Sequence, residues 1–271
     1  MKKRGSAGIL YLILIIGVSL LLYPTFADWW NSFTQSRAIA SYAEEVAMLD
    51  EDKYDEIWSA AWDYNRSLLA RPNSFVLSKE MSETYNRLLN VSGTGVMGYI
   101  EIPTLKVALP VYHGAEERVL QVAVGHLEWT SLPVGGSGSH CVLSGHRGLP
   151  SARLFTDLDK MAEGDVFLLR ILDEVLTYEV DQIRIVNPDE VETLLIEEGK
   201  DLCTLVTCTP YGINSHRLLV RGHRIENAEE ARTVRVTADA MQIEPVLVAP
   251  LLAAPVLLVL LVAVMIPKRK K

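Results

Sequence analysis

Two uncharged apolar runs, one near each end, constrain this chain more than any other feature. Ala7 to Tyr23 spans 17 residues and follows Lys2-Lys3-Arg4; Val246 to Ile266 spans 21 and is followed, after Pro267, by Lys268-Arg269-Lys270-Lys271. Crossing ~30 Å of hydrocarbon takes ~20 helical residues, and basic flanks stay on the cytoplasmic side. The expected topology is a two-pass cell-membrane protein with both termini cytoplasmic and the intervening chain outside. Tyr23-Pro24-Thr25-Phe26-Ala27-Asp28 is a poor match to a small-residue cleavage site, so the first run reads as an uncleaved anchor rather than a removed signal peptide. Pro250 and Pro255 lie within the second run, where a membrane helix tolerates them.

Charge agrees with this layout. Without the seven terminal lysines and arginines, 19 basic residues face 34 acidic ones, a balance of −15 for the middle of the chain. An acidic domain disfavours nucleic acid, because phosphate binding needs a basic face.

The middle divides in two. Residues 31 to about 90 carry apolar positions at helical spacing, among them Ile39, Tyr42 and Val46, then Ile57, Trp58, Ala61 and Trp62. Such stripes predict packing faces, and Trp58 and Trp62 take that reading. From Val91-Ser92-Gly93-Thr94-Gly95 onward the pattern changes to short strands. Candidate strands cover 98–103, 105–110, 141–144, 166–171, 176–186, 202–208 and 217–221. Short helices are expected over 116–124, 152–158 and 188–197. Many short strands with few long helices imply a β-barrel or sandwich.

The chemistry centres on a thiol. Of three cysteines, Cys208 ends a strand at the turn Thr209-Pro210-Tyr211-Gly212, and a returning strand begins near Arg217. That loop brings Arg217 towards Cys208, where a guanidinium favours thiolate and offers fixed donors to an oxyanion. Cys203 is five residues earlier and alternation puts it on the opposite face. Cys141 lies in an apolar strand and reads as a small buried hydrophobe. A cysteine nucleophile needs an acid–base partner, and His146, in Gly145-His146-Arg147-Gly148, stands at a strand end. His216, adjacent to Arg217, is its local rival. No histidine and cysteine spacing suits zinc.

Thr204-Leu-Val-Thr-Cys208-Thr-Pro-Tyr-Gly-Ile-Asn-Ser-His-Arg217 resembles the cysteine and arginine signature of sortases, closest to the pilin-polymerising class C. Gly145-His146-Arg-Gly-Leu-Pro150 resembles its histidine segment. The likeness continues through 97–103, 109–114, 125–133, 154–158 and 164–165, covering about residues 85 to 225.

This resemblance implies a mainly β fold: a closed sortase-type β-barrel with short helices, preceded by a helical N-terminal region and flanked by two transmembrane helices. The expected divisions are an anchor over 1–30, a helical region with a possible lid over 31–91, the catalytic barrel over 92–226, a tether over 227–245, the second span over 246–266 and a basic tail over 267–271. The resemblance also implies a membrane-anchored cysteine transpeptidase; no nucleotide loop or metal cluster is evident in the sequence, so no cofactor is expected. Cys208 would attack the Thr–Gly bond of a Leu-Pro-x-Thr-Gly-like (LPxTG-like) sorting signal and form a thioester, which a lysine of another pilin subunit resolves. His146 would be the acid–base and Arg217 the oxyanion partner, while His113 and His126 match positions without a catalytic role. Class C enzymes carry an Asp-Pro-aromatic lid; here the region reads Ala70-Arg71-Pro72-Asn73-Ser74-Phe75, with Pro72 and Phe75 as lid candidates but no such triplet. The alternatives are a sortase anchoring surface proteins to peptidoglycan and a non-enzymatic, membrane-tethered β-domain that binds a surface partner.

Overall fold

The computed structural model describes residues 2–69 and 75–227, with side chains from residue 11 onward. Pro72, the expected tether beyond residue 227 and the second apolar run lie outside the described residues.

Helix α1 runs over Lys2–Ala47 with Pro24 inside it, about 70 Å at 1.5 Å per residue. Its segment from Tyr11 is long and apolar enough to cross a membrane by length and composition. The helix does not stop where the apolar run ends. Positions 28, 31, 35, 39 and 42 recur every three or four residues and form one stripe. Arg153 N donates to Asp28 Oδ1 (3.0 Å), Asn31 Nδ2 to Ser151 O (2.8 Å) and Gln35 Nε2 to Val122 O (2.7 Å). Ile39 and Tyr42 are buried with Val96 and Tyr99. The Tyr42 hydroxyl donates to Met97 O (2.9 Å) and accepts from Leu172 N (2.8 Å).

Helix α2 spans Glu51–Leu69 and opens on the acidic pair Glu51 and Asp52. Lys53 N donates to Asp50 Oδ1 (2.8 Å), so a carboxylate caps the positive end of the helix. Ala61, Tyr64 and Leu68 join the main core. Asn65 Nδ2 donates to Leu132 O (3.0 Å) and Leu132 N to Asn65 Oδ1 (2.7 Å), which fastens α2 to the loop after residue 126. Trp58 packs against the core, while Trp62 stays partly exposed and donates to Val134 O (3.3 Å). Helix α3 (Lys79–Tyr85) is capped by Ser78.

Eight strands follow: β1 (Val96–Ile102), β2 (Val107–His113), β3 (Val124–His126), β4 (Ser139–Ser144), β5 (Val166–Ile171), β6 (Glu174–Val186), β7 (Asp201–Thr209) and β8 (His216–Ile225). They close into a barrel in the order β1-β2-β3-β4-β7-β8-β6-β5, so neither edge is left to pair with another chain. The fold is mainly β, as the strand pattern implies. Pairs β2–β3 and β4–β7 are parallel; all others are antiparallel. Every residue of β1 is buried, because the barrel core lies on one face and α1 on the other.

The expected helix over 116–124 contracts to α4 (Glu117–Leu120) followed by β3. Over 152–158 the expected helix is replaced by turns, with a 3-10 turn starting only at Leu158 (Leu158–Lys160): Leu154 has φ +38° and Ala152 bridges Leu149. Over 188–197 only a single 3-10 turn forms, Glu192–Leu194.

Candidate active site

Alternation along β7 splits its side chains between two environments. Cys203 and Leu205 enter the barrel core, whereas Val206 belongs to a separate apolar cluster with Val142, Val186, Leu194 and Leu219. Leu127 and Trp129 border that cluster. Cys208 shares the parity of Val206 and is only partly buried. It stands where this apolar outer face meets the barrel rim.

Arg217 is opposite Cys208 in the β7–β8 register, and Leu219, two residues on, belongs to the same outer cluster. The connecting turn holds a cis Thr209–Pro210 bond and left-handed backbone at Gly212 and Asn214. Pro210 O accepts from Ile213 N (3.1 Å) and Asn214 N (3.0 Å). Arg217 Nη1 donates to the carbonyls of Asn214 (3.3 Å) and His216 (3.1 Å). The turn therefore orients the guanidinium.

His146 arrives from the far side of β7. Ser144 lies opposite Val206 in the parallel β4–β7 register. The pairing runs on past the strand end, with Gly145 N donating to Val206 O (3.0 Å) and Thr207 Oγ1 to Gly145 O (2.7 Å). Two residues beyond Ser144 is His146, and two beyond Val206 is Cys208, so both follow closely on the last paired position of the β4–β7 ladder. The set is a thiol, an imidazole and a guanidinium, the groups that acyl transfer through a thioester uses.

Two neighbours escape sequence reasoning. Glu117 Oε2 on α4 lies 3.5 Å from His146 Nε2. Its carboxyl is held below the usual range, chiefly by the Gln121 side-chain amide and secondarily by His146. Arg147 is the other. Its Nη2 donates to Asp159 Oδ2 (2.5 Å) and its Nη1 to Thr209 Oγ1 (3.4 Å). Its guanidinium carbon lies 5.9 Å from the centre of the Tyr211 ring. Arg147 thus ties the histidine loop to the residue after Cys208. Its place beside His146 is the only signal the sequence carries for it.

The remaining cysteines and histidines sit elsewhere. Cys141 and Cys203 are register partners inside the barrel, and burial pushes the Cys203 thiol up. His126 is fully buried, with Nδ1 2.9 Å from Tyr85 Oη and Nε2 2.8 Å from Ser131 O. His113 faces Gly95 O (3.0 Å) and Leu88 O (2.7 Å). His216 faces the Ser215 hydroxyl (2.8 Å). Among the described residues no group of three or more His, Cys, Asp or Glu is placed to hold a metal.

The sortase domain model matches residues 100–225. The fold also aligns with sortase C1 from Streptococcus agalactiae at 51% identity, covering 71% of this chain and 100% of that one with a TM-score of 0.70. The chain belongs to the sortase family. Streptococcus pneumoniae sortase C is similar too: 46% identical, covering 70% of this chain and 97% of that one, TM-score 0.65. A lid mutant of sortase A from Corynebacterium diphtheriae is 38% identical, covering 66% and 97%, TM-score 0.62. As a sortase, the protein is a cysteine transpeptidase.

Proposed function

We propose that this sortase polymerises pilins, with Cys208 as nucleophile, His146 as acid–base and Arg217 as oxyanion partner. The observation that supports the assignment is the pairing of Cys208 with Arg217 across β7–β8, with His146 two residues past the end of β4, the other neighbour of β7. The Cys208 thiolate attacks the threonine carbonyl of a Leu-Pro-x-Thr-Gly-like signal. A C–S bond forms, the C–N bond to glycine breaks, and His146 gives the departing amine its proton. A pilin lysine amine then attacks the thioester, His146 takes its proton, and the Cys208 thiolate leaves. Arg217 donates to the oxyanion in both steps, where fixed donors count most.

The pilin as substrate is supported by kinship with the class C enzymes and with the Streptococcus pneumoniae sortase C, which has been studied for pilin substrate specificity. The apolar cluster beside Cys208 suits the leucine and proline of a sorting signal. Lid behaviour at Phe75 belongs to the same reading. The Phe75 ring meets Trp129 edge-on at 5.0 Å, and Trp129 borders the cluster that leads to Cys208. The basic tail after the second apolar run supports two-pass anchoring with the barrel outside.

The test incubates the full chain with a purified pilin carrying the signal, beside Cys208→Ala. A Cys208-dependent ladder joined by Thr–Lys isopeptide bonds is expected. Cys208-dependent transfer to a peptidoglycan amine but never to pilin lysine would replace pilin polymerisation with cell-wall anchoring. Binding of the signal with no transfer and no Cys208 dependence would leave a tethered binding domain.

A further inference from the structure

A second face of α1 carries a cluster of aromatic side chains beside the barrel. Phe26, Trp29, Trp30 and Phe33 follow the apolar run at helical i, i+3, i+4, i+7 spacing, and all are exposed, Trp30 at 54%. Their rings contact one another, with centroids 5.8 to 6.5 Å apart. Four large aromatic side chains in water are unfavourable, and rings of this kind gather at the membrane–water interface. The apolar run enters the bilayer just below them, so the headgroup layer is the surface they fit.

The opposite stripe of the same two turns grips the histidine loop. Asp28 and Asn31 bond Arg153 N and Ser151 O, within the segment that also carries His146 and Arg147. His146 is five residues from Ser151, at most about 18 Å of extended chain. The other end of the docked stripe, Tyr42 with Leu172 N, is 14 residues from Asp28, about 21 Å further along the helix axis.

We propose that the aromatic stripe of α1 is a lipid-headgroup contact that seats the rim carrying His146 and Cys208 on the membrane surface, with the β5–β6 turn pointing away. The proposal rests on the reading of α1 as the membrane anchor. A site at this height meets substrates that are themselves held at the bilayer, without searching the depth of the wall.

The test uses the full chain with Cys208→Ala, reconstituted into vesicles of phosphatidylcholine and phosphatidylglycerol that contain headgroup-nitroxide phosphatidylcholine. A fluorophore is placed at Arg153→Cys or at Asp173→Cys, two exposed positions at the near and far ends. Expected is quenching several-fold greater at position 153 than at 173. Replacing Trp29, Trp30 and Phe33 together with serine is expected to abolish most of that difference while the protein stays in the carbonate-resistant pellet. Equal quenching at both positions, or a difference untouched by the serine variant, would overturn the seating while leaving the anchor intact. Release of the parent protein by alkaline carbonate would overturn the anchor reading and the seating with it.

Discussion

Replacing Arg147 with methionine separates positioning from stability. The guanidinium pairs with an Asp159 side chain that is 45% exposed, so the ion pair contributes no more than about 1 kcal/mol. The contact with Tyr211 adds about 0.5–1 kcal/mol, and the long bond to Thr209 a few tenths. Against these, Arg147 Nε is buried without a hydrogen-bond partner, which costs about 1–3 kcal/mol. Methionine keeps the apolar stem and removes that orphan. The opposing contributions cancel to within about 1 kcal/mol, so the melting temperature moves by no more than about 4 °C. Catalysis responds differently, because Arg147 joins the His146 loop to Thr209. A misplacement of about 1 Å between reacting groups costs on the order of 100-fold. The expected result is kcat lowered about 10- to 100-fold, KM for a Leu-Pro-x-Thr-Gly peptide little changed, and an unaltered shape of the pH–rate profile. Peptide cleavage followed by chromatography, beside a thermal melt monitored by circular dichroism, reads both quantities. Unchanged kcat with an unchanged melt would refute the positioning role; loss of kcat only in step with unfolding would reduce Arg147 to a structural residue.

Three further outcomes follow from the same geometry. Tyr42→Phe leaves Met97 O and Leu172 N buried without their shared partner, and urea unfolding is expected to show a loss of about 2–4 kcal/mol. Gly145→Ala would place a Cβ 2.6 Å from the Phe155 ring; we expect about 1–3 kcal/mol of destabilisation and a larger loss of turnover, since the ring and the His146 loop must shift together. His140 is fully buried between Leu195 O and Thr204 Oγ1, and burial holds its pKa below the ordinary value. The unfolded chain then takes up this proton at about pH 6.5 while the folded one does not. Stability therefore falls as pH drops below about 6.5, until the folded pKa is reached. Denaturant titrations between pH 5 and 7 are expected to show a shallower fall for His140→Asn, and equal slopes would exclude the effect.

The antiparallel half of the site is legible locally. A strand ending at Cys208, a Pro-Gly turn and a returning strand at Arg217 form one hairpin, so register follows from neighbours in sequence. The histidine side is legible only through family likeness. Its position depends on β4 pairing parallel with β7, residues 62 apart, and no turn chemistry announces such a partner. Strand β3 is hidden for a similar reason: three residues containing Gly125 show no alternation, and only the β2 and β4 ladders make them a strand. Glu117 looks like any exposed helix-start carboxylate until α4 is placed beside the histidine loop. In α1 the apolar run and the later amphipathic stripe read as two segments, yet one helix carries both past Pro24.

The parallel β4–β7 ladder also dictates when reactivity arises. The Cys208–Arg217 hairpin can form early, since it closes a loop of few residues. His146 reaches the thiol only after a segment of about sixty residues has been looped out and the two strands have found each other. Non-local parallel pairing is the slow part of β folding. The imidazole therefore joins the thiol late, as the barrel closes. Under the assignment of Cys208 and His146 proposed above, competence to cut and join peptides is coupled to completion of the fold.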